Sequence, residues 1–230
     1  YTPGGITDLV TRIAASELAK ALNQTFVVDN RPGANSILAV DMVSKATPDG
    51  YTLGTVIAAH AANQTLYAKL PYDSVKSFEH VSLLVTSPLI VCVTNSLPAK
   101  SINELIELAK AKPGTLSFSS SGIGAAAHLT TELFMSTTGI KMVHVPYKGS
   151  TETLTALLGG QIDFTFDVGV AIAQVKAGKL TALGVSSAGR RSPLLPSVPP
   201  LSDTIAGFDA QSWVGLSVPV GTPRPIIDKL

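Results

Sequence analysis

The sequence predicts an α/β protein, and three observations support this. Strand-like apolar runs alternate with helix-like segments along almost the whole chain. Hydrophobic residues make up 45% of the 230 residues and charged residues only 14%, so the chain must bury a substantial core. Glycine and proline stand between the segments, where turns are expected. Because strands that alternate with helices are typical of parallel sheets, we expect mainly parallel sheets flanked by helices.

The helices are predicted from apolar residues at helical spacing and from capping residues. The first helix opens at Ile6, directly after a Thr-Pro-Gly-Gly loop. A helix at 36–45 is expected to be capped by Asn35, and Ser101-Ile-Asn-Glu104 is a capping box. The other predicted helices lie within AAAHLTTELFM (125–135), STETLTALL (150–158) and GVAIAQVKAG (169–178), and a last one begins at Pro223 after Thr222.

The strands are predicted from short apolar runs rich in β-branched residues. They are TFVVD (25–29), YTLGTVI (51–57), HVSLLV (80–85), LIVCV (89–93), LSFSS (116–120), MVHV (142–145), IDFTF (162–166), LTALGV (180–185) and QSWVGLSVPV (211–220). Residues 187–204 interrupt the pattern because they are rich in proline and serine. The simplest organisation is a first lobe of residues 1–94 plus 213–230, with a second lobe, 95–212, inserted into it. Two connections allow such lobes to hinge over a cleft.

Composition excludes several classes of function. Lys and Arg total 17 against 16 Asp and Glu, so the chain lacks the basic surface that nucleic acids require. No apolar run approaches the roughly 18 residues of a membrane span. Cys92 is the only cysteine and the four histidines lack zinc-site spacing, so we expect neither a disulfide nor a metal site.

Two glycine-bearing loops lead into helices and indicate anion binding. They are TPGG at 2–5 and SSSGIG at 119–124. A helix N-terminus presents amides without intrahelical partners, and glycine lets an anion approach them. Either glycine pair could instead just form a tight turn, but two such loops in one chain favour a site for a small carboxylate.

Other interpretations of the same residues remain open. Gly122-x-Gly124-x-x-Ala127 fits a nucleotide-binding fingerprint, but no acidic residue follows the next strand. Ser121 and His128 could suggest an esterase, yet there is no Gly-x-Ser-x-Gly elbow. We expect His128 to be neutral, serving either packing or one hydrogen bond to a ligand or water.

Two aspartates have both structural and functional interpretations. Asp8 could complement the helix dipole, order a water or meet a ligand ammonium group. Asp167 could cap the next helix or face the cleft.

A series of motifs resembles the Bug-type extracytoplasmic solute receptors of tripartite tricarboxylate transporters. The motifs run in order along the chain as PGGITD, VDNRPGA, TPDGYTLG, LYAKLPYD, SLPAKS, ELIELAKAKPGTL, SSGIGAAAHL, MVHVPYKG, LLGGQIDFTFD and AGKLTALGVSS. The resemblance implies a two-lobed periplasmic binding protein fold of the type II kind. It also implies a monomeric, non-enzymatic receptor without a cofactor, which delivers a small carboxylate to the membrane subunits of a transporter.

The resemblance also assigns binding residues. The implied ligand contacts are Pro3, Gly4, Gly5, Thr7 and Asp8 in the first loop, Ala58, Ala59 and Asn63 in the first-lobe wall, Ser119, Ser120, Ser121, Gly124, Ala125 and His128 in the second loop, and Asp167 at a strand end. Two departures from the family stand out. Ile57-Ala58-Ala59 offers few side-chain donors, which disfavours citrate, and PGANSI lacks a second glycine pair.

The resemblance further implies that the sequence is a trimmed part of an exported, periplasmic protein. A strand and an export signal are expected upstream of residue 1, and helices that pack on the first lobe are expected after Leu230.

Overall fold

A computed structural model describes residues 1–230 and divides the chain into two compact units. Unit 1 comprises Tyr1–Thr86 and Trp213–Leu230, and unit 2 comprises Ser87–Ser212. The helices are α1 Ile6–Leu22, α2 Ile37–Ser44, α3 Ala58–Leu66, α4 Ile102–Ala111, α5 Ala126–Thr138, α6 Ser150–Leu158, α7 Ile172–Lys176 and α8 Arg224–Lys229. The strands are β1 Gly54–Ile57, β2 Phe78–Pro88, β3 Ile90–Thr94, β4 Ser117–Ser120, β5 Val143–Pro146, β6 Phe164–Asp167, β7 Leu180–Val185 and β8 Gln211–Pro219.

The chain passes between the units within β2 and within β8. The first passage, at 86/87, precedes the predicted one at 94/95 because β3 belongs to the sheet of unit 2. The second passage is at 212/213.

Unit 1 contains a three-stranded sheet in the order β1-β8-β2. β1 pairs antiparallel with β8, from Gly54 opposite Ser217 to Ile57 opposite Val214. A small core packs α2 against the beginning of β2; it consists of Val40 and Val43 from α2 with Tyr72 and Phe78. The helix α3 begins directly where β1 ends, and the sequence analysis did not predict it.

Residues 25–29 do not form the predicted strand. They belong to neither sheet, and Val27 is 85% exposed. β1 pairs only with β8, so its other edge has no strand beside it. A cavity of about 810 Å³ is lined by residues 24–31, α1, α2 and β1. The apolar pattern of 25–29 therefore does not produce a paired strand, since a strand needs a neighbour to satisfy its backbone groups.

Unit 2 contains a five-stranded mixed sheet in the order β5-β4-β6-β3-β7. β4 is parallel to β5 and β6, whereas β3 is antiparallel to β6 and β7. One face of this sheet holds Phe118, Phe134, Phe164 and Phe166, all essentially fully buried. The opposite face holds Ile90, the fully buried Cys92 and α6 side chains. The α/β class is therefore confirmed, with mixed sheets.

Helix ends test the capping predictions. The Ser101 hydroxyl accepts the Glu104 amide at 3.2 Å, so the predicted cap is confirmed. The return hydrogen bond of the capping box is shifted by one residue, because the Glu104 carboxylate accepts the amide of Lys100 at 2.7 Å. Asn35 is not the cap of α2, because it lies in a 3₁₀ turn and its side chain bonds elsewhere. At the last helix, Pro223 is the cap and α8 begins at Arg224.

Candidate functional site

The first candidate site is the N-terminus of α1, which follows the loop at residues 2–5. Gly4 has a φ of 85°, a left-handed conformation that glycine adopts without steric cost. Gly5 caps the helix in extended conformation and offers no side-chain acceptor. The amides of Gly5, Ile6 and Thr7 make no hydrogen bond within the chain. Three adjacent donors at the positive end of a 17-residue helix are thus available to an anion.

Asp8 anchors this loop from inside the first turn. Its side chain is 8% exposed, and its carboxylate accepts the Gly4 amide at 3.0 Å, Arg12 Nε at 3.1 Å and Asn30 Nδ2 at 3.0 Å. The hydrogen bond from Arg12 is the largest cause that lowers the pKa of Asp8. The Gly4 amide is therefore already occupied, and the Arg12 charge is neutralised by Asp8.

The beginning of α3 supplies the predicted wall of unit 1. Ala58 and the fully buried Ala59 form its first turn, which has no side-chain cap. Asn63, one turn later, is 0% exposed, and its amide group bonds to Asn35. This wall offers backbone donors at the helix start, whereas the polar side chain of Asn63 is committed within the chain.

The second candidate site lies in unit 2, where β4 leads through a loop into α5. Gly122 and Gly124 have φ values of 132° and 83°, so the tight path depends on glycine. The Gly124 amide donates to Nδ1 of His128 at 3.0 Å. The amides of Ala126 and Ala127, in the first turn of α5, have no partner within the chain. The arrangement matches that at α1: the glycine amide, here that of Gly124, is hydrogen-bonded within the loop, and the unpaired amides follow it in the chain.

His128 belongs to a stack of three rings. Its ring centroid lies 4.2 Å from that of His144, which lies 4.7 Å from that of Phe118. Burial lowers the pKa of His128, and burial followed by the neighbouring His128 lowers the pKa of His144 to about 4. Both imidazoles are therefore neutral at pH 7. The expected neutrality of His128 follows from burial rather than from the helix dipole, and its Nδ1 bonds to the loop.

Ser120 connects His144 to the glycine loop. Its hydroxyl lies 2.7 Å from His144 Nε2, accepts the Gly122 amide at 3.2 Å and donates to the Gly122 carbonyl at 2.9 Å. The hydroxyl proton is thus used by the carbonyl, and the side chain is fully buried. Ser120 is a structural element of the loop and not an exposed nucleophile.

Asp167 ends β6 and holds the loop that leads to α7. Its Oδ1 accepts the amides of Gly169 at 2.7 Å and Ala171 at 2.9 Å, just before α7. The residue is 3% exposed, and burial raises the pKa of its carboxyl to about 6. These hydrogen bonds fix the loop between β6 and α7, whereas the cap position of α7 itself is Ala171, which has no side-chain cap.

The remaining predicted residues differ in environment. Pro3 is exposed and Ser121 is half-buried, whereas Ala125 is buried as the cap of α5. Ser119 is 0% exposed, and its hydroxyl has no hydrogen-bond partner. The described histidines, acidic residues and cysteine form no cluster suited to a metal ion.

Sequence reasoning missed three residues of these sites. His144 bonds Ser120, while Tyr1 and Asn35 bond one another next to α1. These contacts join positions 24 and 34 residues apart, and the local patterns used above do not report such pairs. Two sequence features could have indicated these residues. His144 is a polar residue inside the apolar strand MVHV, and Asn35 lies in the turn that follows Gly33.

The cavity of unit 1 is lined by Thr7 but not by Gly5 or Ile6, so it reaches only the last of the three open α1 positions. Its lining is mainly apolar and includes Ala15, Leu18 and Met42, with Thr7 and Asp8 also on its wall. Such a lining does not replace the hydration that a carboxylate loses on burial. We therefore place the candidate site at the helix N-termini.

Comparison with known proteins points to one family. Residues 10–230 match the family described as the Tripartite tricarboxylate transporter family receptor. BugT of Bordetella pertussis is 34% identical over 231 residues, a match that covers 99% of this chain and 71% of BugT. None of the helices combines the length and the apolar character that crossing a membrane requires.

Two solved structures are similar to this chain over almost its whole length. R. palustris Rpa4515 with adipate has a TM-score of 0.94 and 35% identity, covering 99% of this chain and 77% of that one. MatC of Rhodopseudomonas palustris with bound malate has a TM-score of 0.92 and 32% identity, covering 100% and 79%.

Proposed function

Because the chain belongs to the tripartite tricarboxylate transporter family of receptors, we propose that it binds a small carboxylate and delivers it to a membrane transporter. The observation that carries the proposal is the α1 N-terminus, where the amides of Gly5, Ile6 and Thr7 are open and adjacent. Adipate and malate in the two similar structures are both dicarboxylates, which supports this ligand class. The family membership also supports a periplasmic location.

The electrostatics suit an anion that backbone groups hold. Arg12 is paired with Asp8, so its guanidinium is not free to bind the ligand carboxylate at this loop. A hydrogen bond to an ionised group contributes roughly 1.5–3 kcal/mol, and a helix N-terminus adds about 0.3–1 kcal/mol. Three such bonds total roughly 5–9 kcal/mol before the cost of association, at least about 4 kcal/mol. One carboxylate at α1 alone gives weak binding, so micromolar affinity requires further contacts.

The amides at α5 are suited to a second acidic or polar group. Ala126 and Ala127 have open N–H groups, and the neighbouring His128 is neutral. A nucleotide is disfavoured because the Gly124 amide is taken by His128, and β5 ends at Pro146 without an acidic residue. The function we propose is therefore binding without catalysis.

Replacing Ile6 with proline tests the α1 site. Position 6 is the first residue of α1, where proline is well tolerated and removes one amide donor. We expect Ile6→Pro to weaken carboxylate binding about ten- to hundredfold while the melting temperature changes little. Isothermal titration with adipate, malate, glutamate, benzoate and citrate measures this loss.

The matched control is Ile6→Ala, which removes the side chain but keeps the amide. Its affinity should stay within about threefold of wild type. Equal affinities for Ile6→Pro and Ile6→Ala would place the ligand elsewhere. Stabilisation by NADP and by none of the acids would instead favour the nucleotide interpretation.

A further inference from the structure

Three polar side chains form a continuous hydrogen-bonded chain within unit 1. Tyr1 Oη donates to Asn35 Oδ1 at 2.8 Å, and Asn35 Nδ2 donates to Asn63 Oδ1 at 2.9 Å. Asn63 Nδ2 donates back to the Asn35 carbonyl at 3.1 Å. The Tyr1–Asn35–Asn63 chain therefore links the loop before α1, the turn before α2, and α3.

The turn at the centre of this chain has an unusual backbone. Ala34, Asn35 and Ser36 have φ values of 45°, 50° and 71°, all in the left-handed region. Each non-glycine residue there costs roughly 1–2 kcal/mol, although asparagine tolerates the region best. The double hydrogen bond from the fully buried Asn63 holds Asn35 by both its side chain and its carbonyl. The turn is thus fixed from α3.

Tyr1 transmits this fixation to the α1 loop. Burial, with Tyr67 as a smaller cause, raises the pKa of the Tyr1 phenol, so its hydroxyl stays protonated and remains a donor. Further along, the Gly4 amide is held by Asp8. The segment that enters α1 is therefore tied at two points, and the open amides of Gly5, Ile6 and Thr7 follow directly.

We propose that Tyr1 and Asn35 are positioning residues for the carboxylate site at α1. The inference rests on the proposed function, since the site they position is the open amide set. Rigid donors lose little freedom when a ligand binds, so fixing the loop raises affinity without a direct contact. The same role belongs to Asn63, which was predicted as a ligand residue but has its side chain committed to Asn35.

The test compares Asn35 and Asn23, two asparagines that have the same left-handed backbone conformation. Asn35→Gly keeps the left-handed conformation and removes the hydrogen-bonding side chain. Asn23→Gly is the matched control, because Asn23 has φ 51° and ψ 44° and its side chain makes no hydrogen bond. We expect Asn35→Gly to bind malate or adipate about three- to tenfold more weakly. The Gly4 amide should also exchange with solvent faster by NMR. Asn23→Gly should change neither property.

A second variant tests whether Tyr1 acts through Asn35. Tyr1→Phe removes only the hydroxyl and should weaken binding to a similar extent. Combining it with Asn35→Gly should add no further loss, because the two groups form one hydrogen bond. Additive losses, or wild-type affinity in Asn35→Gly, would overturn the proposal. If wild-type protein binds no acid, the proposed function fails, and the exchange of the Gly4 amide alone decides whether the loop is positioned.

Discussion

The glycine loops of the two units contain the same local hydrogen bond, but the group that accepts it differs. In each, the residue four positions after a glycine accepts that glycine's amide: Asp8 accepts Gly4 in unit 1, and His128 accepts Gly124 in unit 2. The acceptor in unit 1 is a carboxylate held by Arg12, whereas the acceptor in unit 2 is a neutral imidazole stacked on His144. The comparison teaches that the loop geometry requires an acceptor but not a charge. The two loops should therefore respond differently to mutation and to pH.

Removing the acceptor of unit 1 should produce the largest effect on stability. Asp8→Ala leaves the Gly4 amide, Arg12 and Asn30 without their shared partner. We expect the free energy of unfolding to fall by about 2–3 kcal/mol, since a buried, hydrogen-bonded carboxylate is lost. Urea denaturation at pH 7 measures this change. His128→Ala, the equivalent change in unit 2, should cost less, and an equal or larger cost would contradict the contrast between the loops.

Acidification should affect unit 2 before unit 1. The pKa of His144 is lowered to about 4 in the folded state, so between its ordinary value near 6.5 and about 4 only the unfolded chain binds the proton. This contribution to stability is present above pH 6.5 and is lost as the pH falls toward 4. Asp8 also has a lowered pKa, but its contribution is lost only below its ordinary value of 3.8.

Replacing His144 with phenylalanine sharpens this difference. His144→Phe preserves an aromatic ring next to Phe118 and His128 but does not titrate. We expect a smaller loss of unfolding free energy between pH 6.5 and 4.5 than in wild type, by about 1–2 kcal/mol, because solvent screens part of the effect at this partly exposed ring. Denaturation series at the two pH values measure it. An unchanged pH dependence would show that His144 does not set the acid response.

A pH effect of opposite sign is expected at Asp167, a buried carboxylate that accepts two backbone amides. Burial raises the pKa of Asp167 to about 6, so its contribution to stability is greatest below its ordinary value of 3.8 and is lost as the pH rises through 6. Asp167→Asn keeps an oxygen acceptor for the amides of Gly169 and Ala171 and removes this titration. Relative to wild type, the variant should gain about 2 kcal/mol between pH 4.5 and pH 7. A relative loss over that interval would mean that the amides of Gly169 and Ala171 need a negatively charged acceptor.

Local sequence signals predicted the local features of this structure. The helix cap at Ser101 and the α/β alternation depend on neighbours within a few residues, and both are found. The strand at 25–29 failed because pairing depends on a second segment, which pattern alone does not supply. The cap assigned to Asn35 failed because its side chain bonds Asn63, 28 residues away.

The candidate sites follow the same division. The glycine loops and the helices after them are local, so they could be located from the sequence. Which amides stay open could not, because it depends on Asp8 and His128 turning back onto Gly4 and Gly124. Likewise, a polar residue in a strand gave no indication of the contact between Ser120 and His144.

The position of the single cysteine has a practical consequence. Cys92 lies in the middle of β3 with no exposed surface, and burial, followed by the nearby Asp167, raises the pKa of its thiol well above the ordinary value. A thiol in that state reacts slowly with maleimides. A new cysteine on either unit could therefore carry a fluorescent dye at one defined place in the otherwise native sequence, and ligand-dependent changes in its emission would turn the protein into a reporter.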